Sequence, residues 1–355
     1  MSEYEWNLTD LKQVPKNNYN VFSCFSCGGG STMGYKLAGY NVIGNCEIDK
    51  KINEVYIKNH NPKYNYCMPI QEMNSLKDYP KDLYNLDILD GSPPCSTFSL
   101  AGEREKNWGK SKKFREGQAY QILDDLFFEF IKLAGKLKPK IIVAENVKGI
   151  LMGNAKGYIN LIIKKLDEVG YRTQIFLLNS ARMGVPQKRE RVFFIATRKD
   201  LELPKIKLEF NEEFITYGQI KDTKYKPINK ETMLYQRWLK RSKKDNSLCD
   251  TIERTENGKI SSFNTQFVKD DRIPNTLAAG SLFLRFDVPA SISDRDIKLI
   301  QTFPQDYNFC GQKVQYICGM SVPPIMMKKI AKEIKVQLLD YLRKWWRWVS
   351  CIDTK

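Results

Sequence analysis

Asn20 to Glu47 read NVFSCFSCGGGSTMGYKLAGYNVIGNCE. A short apolar run meets a glycine-rich turn, then a helix-forming stretch, then a second apolar run that ends on an acid. The spacing predicts a buried strand over Asn20–Phe25, a helix over Ser31–Ala38 closed by Gly39, and a second strand over Val42–Cys46. That is a βαβ unit. Gly28, Gly29 and Gly30 serve either a ligand that approaches the backbone or a tight turn. In the first case the helix start offers N–H donors and Glu47 a carboxylate for ribose hydroxyls. Cys24 and Cys27 form the only CxxC, and His60 is the only histidine. Small side chains in the turn account for the pair better than structural zinc, which needs more ligands.

The alternation continues outward. Leu86–Leu89 reads as a strand leading into Gly91-Ser92-Pro93-Pro94-Cys95. A helix over Tyr120–Leu137 precedes a strand over Ile141–Ala144, followed by Glu145-Asn146-Val147. A helix over Tyr158–Val169 precedes strands over Tyr171–Leu178 and Arg191–Thr197. Apolar strands separated by helices predict an α/β fold with a largely parallel sheet covered on both faces. Ligands in such folds bind beyond the carboxyl ends of the strands, where Gly28, Glu47, Cys95 and Glu145 all fall. From Arg198 onward, charged and polar runs with scattered aromatics replace the βαβ period. The expected division is residues 1–197, a smaller domain over 198–314, and a segment over 315–355 returning to the first domain through an amphipathic helix at Ile325–Val349. Trp345, Trp346 and Trp348 at its end read as core or subunit-contact residues.

The chain has 355 residues, 42% of them hydrophobic and 12% aromatic, which argues against wholesale disorder. No apolar stretch reaches the roughly 20 residues of a membrane span. The first residues lack a positive leader with an apolar core, so a cytoplasmic location is expected and the nine cysteines read as free thiols. Lys and Arg number 57 against 41 Asp and Glu, a net charge of +16 that attracts polyanions, nucleic acid first among them. A lysine-rich proteome gives the same balance, and charge does not separate DNA from RNA.

Cys95 is the residue with most chemical potential. Many cysteines are simply buried, but Pro93 and Pro94 stiffen the backbone before this one. An ordinary thiol is only a few per cent thiolate at neutral pH, so nearby cations or helix N–H groups must help it act as a nucleophile. Leu100–Gly117 carries Arg104, Lys106, Lys110, Lys112, Lys113 and Arg115 against three glutamates. It is either a cationic lid suited to phosphates or an ordinary solvated loop. Glu145 follows an apolar strand, so it is exposed at the strand end or paired, because unpaired burial is costly. In a cleft it can hold a proton against an electrophilic ring. Asn146 is a structural partner. Arg189 and Arg191 share one side of an extended segment, where they organise a substrate oxygen, a phosphate, or Glu145 itself.

In this order, GSPPCSTFS (91–99), ENV (145–147), QKRER (187–191) and GMSVPP (319–324) resemble the DNA cytosine-5 methyltransferases. Phe25–Gly39 and Cys46–Asp49 are similar to that family's opening cofactor segments, Thr276-Leu277 to the pair ending its target-recognition region, and SDRDIKLIQTFP (293–304) to the helix after it. The resemblance implies a Rossmann-like S-adenosylmethionine-dependent methyltransferase fold, its sheet mixed but mostly parallel, with a smaller target-recognition domain. It implies methyl transfer to C5 of a cytosine flipped out of a specific duplex DNA sequence. Cys95 would add to C6, Glu145 would contact N3 and the exocyclic amine, Arg191 the base carbonyl, and Arg189 would support the site. S-adenosylmethionine would lie over Phe25, Ser26, Cys27, Gly28, Gly29 and Gly30, with Glu47 on the ribose and Ile48 against adenine. Ile70, Ser92, Pro94, Met320, Ser321 and Val322 complete the implied contacts, and no metal is implied.

The chain departs from the family pattern at several points. Ser23 stands where the family usually has Asp, Cys27 where it has Gly, Met320 where it has Asn, and Asp296 where it has Glu; Pro69 falls on an acidic position. None of these removes the thiol, the acid or the arginines, so activity is expected. Base contacts would come from the small domain, with Arg237, Lys240, Arg241, Arg254, Asn257 and Lys259 as candidates. The implied partner is double-stranded DNA bound by a monomer in a bacterial or phage-infected cell, with a companion restriction endonuclease at the level of the system. Two alternatives stand beside this. A transfer-RNA cytosine-5 methyltransferase would use nearly the same chemistry, although its Cys-Phe-Thr signature is missing between Arg198 and Asp271. A catalytically silent DNA-binding paralogue would fit the altered cofactor loop.

Overall fold

The computed structural model describes residues 3–94, 111–112, 121–122, 125–152, 155–256 and 265–345. Its strands are β1 (Asn20–Cys24), β2 (Asn41–Cys46), β3 (Tyr64–Tyr66), β4 (Ile88–Gly91), β5 (Ser111–Lys112), β6 (Gln121–Ile122), β7 (Ile141–Val147), β8 (Tyr171–Asn179) and β9 (Glu190–Arg198). Seven of these form one sheet in the order β3-β2-β1-β4-β7-β9-β8, while β5 and β6 pair only with each other. The pairs from β3 through β7 are parallel. β9 runs antiparallel to both β7 and β8. The reason is the connection: the link from β8 to β9, Ser180–Arg189, holds a 3₁₀ turn at Ser180–Met183 and a left-handed Gly184 but no crossover helix. A parallel partner would need a crossover of a dozen or more residues, usually helical.

The sequence alternates across this sheet in pairs. Phe22, Leu89, Ile142 and Phe194 enter one core, against α4 (Leu126–Leu137) and α5 (Ala155–Glu168). Their neighbours Val21, Ile88, Val143 and Phe193 enter the other. Successive strand residues face opposite ways, so burial on both faces yields continuous apolar runs. The second face is covered by α1 (Gly30–Leu37) and α11 (Pro324–Ile334), the latter continuing through a π-helical turn at Lys335–Leu339. Tyr40 donates to the Ala331 carbonyl at 2.8 Å, and Gly34 leaves room for Met327. Helix α4 begins at Leu126 rather than Tyr120, because Gln121–Ile122 is spent in the β5–β6 ladder. Between these elements lie α2 (Lys50–His60) and α3 (Ile70–Ser75).

Beyond Arg198 the large sheet receives no further strand among the described residues. A second sheet forms instead from β10 (Lys226–Pro227), β11 (Thr265–Val268), β12 (Leu282–Arg285) and β13 (Ala290–Ser291), ordered β10-β13-β12-β11. It is accompanied by α6 (Tyr217–Ile220), α7 (Met233–Leu239) and α8 (Leu248–Glu256), with Trp238, Ile252 and Leu284 in its core. A further apolar cluster joins Met33, Ile52 and Val55 to Tyr217 and Phe283, and to Ile297 of α9 (Asp294–Ile300) and Ile317 of α10 (Val314–Met320). Among the described residues no helix is long and apolar enough to cross a membrane.

Candidate active site

From β1 the chain passes to β2 on one side, and from β4 to β7 on the other. The crevice between diverging connections is where doubly wound sheets hold ligands. Cys24, Gly91 and Ala144 lie in one register row across β1, β4 and β7. The next residues Phe25 and Ser92 leave the sheet along the same edge, while Glu145 stays in β7, opposite Phe193 of β9. Ser92, Pro93 and Pro94 carry the chain to Cys95, which lies outside the described residues, as does most of the Leu100–Gly117 loop.

Glu145 is paired. Arg191 Nε sits 2.9 Å from its Oε1, with the two side chains only 14% and 13% exposed. Arg191 Nη1 donates to the Glu190 carbonyl at 2.8 Å. Burial lowers the pKa of this guanidinium, and Glu145 counteracts that fall. Asn146 accepts from the N–H of Val147 and reaches from β7 to the Pro93 carbonyl at 3.4 Å. The strand carrying the acid is thus tied to the turn that precedes Cys95.

Arg189 has different partners. It donates from Nη1 to the Leu277 carbonyl at 2.9 Å and from Nη2 to the Gly319 carbonyl at 3.0 Å. It is buried, and desolvation, with Arg191 next in weight, pushes its pKa well down. Two positions earlier, buried Gln187 donates to the Ile300 carbonyl and to Gln301 Oε1, while its own Oε1 accepts from the N–H of Leu277. Gln187 and Arg189 fasten the segments around Leu277, Ile300 and Gly319 to the start of β9. Only Arg191 of the two arginines reaches Glu145.

The glycine turn has three left-handed residues in five: Phe25 at φ 52, Cys27 at φ 46 and Gly29 at φ 72. Glu47 spans it. Its Oε2 accepts from the N–H of Cys27 at 2.9 Å and its Oε1 from that of Asp49 at 3.0 Å. Burial raises the Glu47 pKa, with these backbone donors opposing. The bare faces of the glycines are covered by protein. A Cβ would meet Ile317 at 2.3 Å on Gly28, His60 at 2.2 Å on Gly29, and the Val322 carbonyl at 2.1 Å on Gly30. Ser321 and Val322 are accordingly buried against the turn, Ser321 donating to the Ile317 carbonyl at 2.8 Å. Ser26 is also buried and receives the Asn45 amide, part of an asparagine network with Asn53 and Asn65.

Ile70 lies in the first core. Phe25, Glu47, Ile48, Ser92 and Pro94 are half-buried, and Met320 is exposed. The turn fits an adenosyl cofactor: half-buried Glu47 takes the backbone N–H groups of Cys27, Asp49 and Ile48, and a carboxylate, with about four lone-pair sites, has one left for a ribose hydroxyl.

Sequence reasoning passed over Asp90. Buried in β4, it accepts from Ser23 Oγ at 2.8 Å and Tyr35 OH at 3.3 Å, with the Ser31 hydroxyl also bonded. Burial, more than any other cause, raises its pKa to about 7, and the charge of Glu145 adds to the rise. An acid closing an otherwise apolar strand was the available signal. His60 was read only against zinc, yet its ring is buried over Gly28 and Gly29 beside Tyr56 and Tyr307.

The small-domain candidates are largely committed internally. Arg237 pairs with Glu256 at 2.9 Å and Arg254 with Asp245 at 2.7 Å. Arg241 lies 3.2 Å over the Trp238 ring and donates to the Phe286 carbonyl. Lys240 is exposed, and Asn257 and Lys259 lie outside the described residues.

A profile of the C-5 cytosine-specific DNA methylases matches residues 19–336. The type II methyltransferase M.FnuDI of Fusobacterium nucleatum is 29% identical over 352 residues, covering 90% of this chain and 95% of that protein. M.Sau96I of Staphylococcus aureus is 33% identical over 206 residues, 56% of this chain and 44% of its own length. Among solved structures, a DNA modification methyltransferase encoded within an E. coli prophage shares the fold, with a TM-score of 0.62 at 19% identity over 90% of this chain and 99% of that one.

Proposed function

The chain belongs to the C-5 cytosine-specific DNA methylase family, and we propose on that premise that Cys95 is its nucleophile and that Glu145, held by Arg191, activates the base. The protein is an S-adenosylmethionine-dependent enzyme that binds DNA and methylates cytosine at C5. S-adenosylmethionine, when bound, supplies an electrophilic methyl group. The chain's own residues make cytosine able to take it. The thiolate of Cys95 adds to C6, forming the S–C6 bond and moving the electron pair of the C5–C6 double bond onto C5. Glu145 holds a proton at N3, which neutralises charge delocalised from the ring. After C5 has accepted the methyl, loss of the C5 proton re-forms the double bond and expels Cys95. Arg191 orients the carboxylate and offers the guanidinium edge to the base carbonyl. Phe25, Glu47 and Ile48 would hold the adenosine, with Ser26, Cys27 and Gly28 to Gly30 shaping the turn beneath it.

The observation that carries this reading is the 2.9 Å Arg191–Glu145 bridge, at the sheet edge where β4 feeds Ser92-Pro93-Pro94 into Cys95. The experiment is trapping on duplex DNA containing 5-fluorocytosine at the target. Fluorine cannot leave C5 as a proton does, so a denaturation-resistant adduct should accumulate only with S-adenosylmethionine present. The adduct should vanish in Cys95→Ser; its survival there would refute the nucleophile assignment.

The finer reading follows the same line. Residues 1–197 and 315–355 would form the catalytic unit, and 198–314 the part that reads a specific duplex sequence. The enzyme would act as a monomer on DNA in the cytoplasm of a bacterial or phage-infected cell. Relatives such as M.FnuDI carry the type II name, which supports a companion restriction endonuclease for this chain. Bisulfite sequencing of DNA from expressing cells would reveal the recognition sequence.

A further inference from the structure

We propose that Asp90 is a positioning residue for S-adenosylmethionine binding: from β4 it bolts together the two ends of the glycine turn, with Ser23 of β1 as one of its partners. The proposal rests on the cofactor reading above and concerns what shapes the turn.

Ser23 and Asp90 are register partners on adjacent parallel strands. Partners in register project to the same face, about 4.8 Å apart. An acid on either strand therefore reaches the same space. On this face stands α1, which follows the glycine turn directly. Asp90 takes Ser23 Oγ at 2.8 Å from the end of β1, the Ser31 hydroxyl from the first turn of α1, and Tyr35 OH at 3.3 Å one turn later on the same helix face. One carboxylate thus clamps the strand that enters the turn and the helix that leaves it. The turn needs such fixing, since Phe25 and Cys27 occupy left-handed conformations that are strained for non-glycine residues.

The bonded partners of Asp90 among the described residues are hydroxyls. The titratable groups whose charge bears on it are Glu145 from β7, Tyr35 from α1, Tyr56 from α2 and, across the sheet, Cys24 from β1. A carboxylate buried among hydroxyls, with a second acid nearby, is costly to keep unless its geometry is needed.

The test is calorimetric titration of S-adenosylmethionine into the full-length wild type, Asp90→Ser and the exchange variant Ser23→Asp/Asp90→Ser. Duplex DNA affinity is measured in parallel. Asp90→Ser should weaken cofactor binding about tenfold or more, as expected for lost charge-assisted hydrogen bonds, and leave DNA affinity within about twofold. The exchange variant, with its acid moved to β1, should recover most of the cofactor affinity. Undiminished cofactor binding in folded Asp90→Ser would overturn the proposal, as would an equal loss of both affinities. Should Asp90→Ser fail to fold, the exchange variant decides: cofactor binding supports the proposal, and its loss, or failure of that variant to fold, overturns it. A wild type that takes up no S-adenosylmethionine would instead defeat the cofactor reading itself.

Discussion

Arg191 reaches Glu145 diagonally across the β7–β9 ladder, Nε to Oε1 at 2.9 Å, although the register partners of the two residues are Val147 and Phe193. The antiparallel insertion of β9 creates this diagonal, and it converts a strand-end acid into an oriented one. Two interior sheet residues of opposite charge, both nearly buried, lose much if either is cut.

Glu145→Gln should therefore lower the single-turnover rate of methyl transfer by about 10²- to 10⁴-fold, the range for removing a positioned acid–base group. DNA affinity should change little. Rapid-quench transfer assays beside filter binding check this, and equal losses in both would mark Glu145 as structural.

Arg189→Met should act mainly on stability. It strands the buried carbonyls of Leu277 and Gly319, and each unsatisfied buried group costs about 1–3 kcal/mol. Urea unfolding should show the loss. A variant as stable as wild type but inactive would place Arg189 in the chemistry instead.

Asp90 sets a pH signature. Its folded pKa, raised to about 7 from an ordinary 3.8, means that ionising it is disfavoured in the fold. The sign follows: the unfolded chain gives up this proton first, so stability from this group falls as pH rises from about 4 to about 7 and stays low above. Asp90→Asn should remove that fall, worth a few kcal/mol, in unfolding free energies measured across the window. An unchanged pH profile would contradict the assignment.

Burial pushes the Cys27 thiol up to about 12. Cys27 should stay unmodified by iodoacetamide at pH 8, because only the thiolate reacts. Cys67 and Cys310 are exposed and should be alkylated before Cys27. Peptide mapping by mass spectrometry gives the order, and early labelling of Cys27 would mean that the turn opens in solution.

DNA association should weaken steeply with salt, since phosphate contacts release counterions. A flat plot of log affinity against log salt would deny the +16 chain a cationic binding face.

How much of this was visible beforehand follows from what periodicity encodes. Apolar pairs such as Val21-Phe22 and Ile142-Val143 announce a sheet buried on both faces, so the α/β class and most strands were legible. Neighbour order is not written in a strand's own residues. Nothing within Glu190–Arg198 says that it enters between β7 and β8; that follows from the helix-free link before it. Gly28 to Gly30 read equally as ligand loop or tight turn, and the contacts from Ile317, His60 and Val322 come from far along the chain. Alternation suggested one side for Arg189 and Arg191 and one shared task; only Arg191 meets Glu145. It was silent about Leu277 and Gly319, whose carbonyls draw Arg189 away. Asp90 was missed because the strand was ended at Leu89, one residue short of the acid.

The cover of α11 over the second sheet face, and of Val322 over Gly30, has a consequence for biosynthesis. A ribosome emits this chain from its N-terminus, and domains fold as they emerge. By residue 200 all seven strands of the large sheet have been made. Yet the face bearing Val21, Ile88 and Val143 still lacks Ile325, Met326 and Ile330, which arrive more than a hundred residues later. Until α11 has been made that face lacks its second helix, and the turn at Gly28–Gly30 waits as long for its packing against Val322.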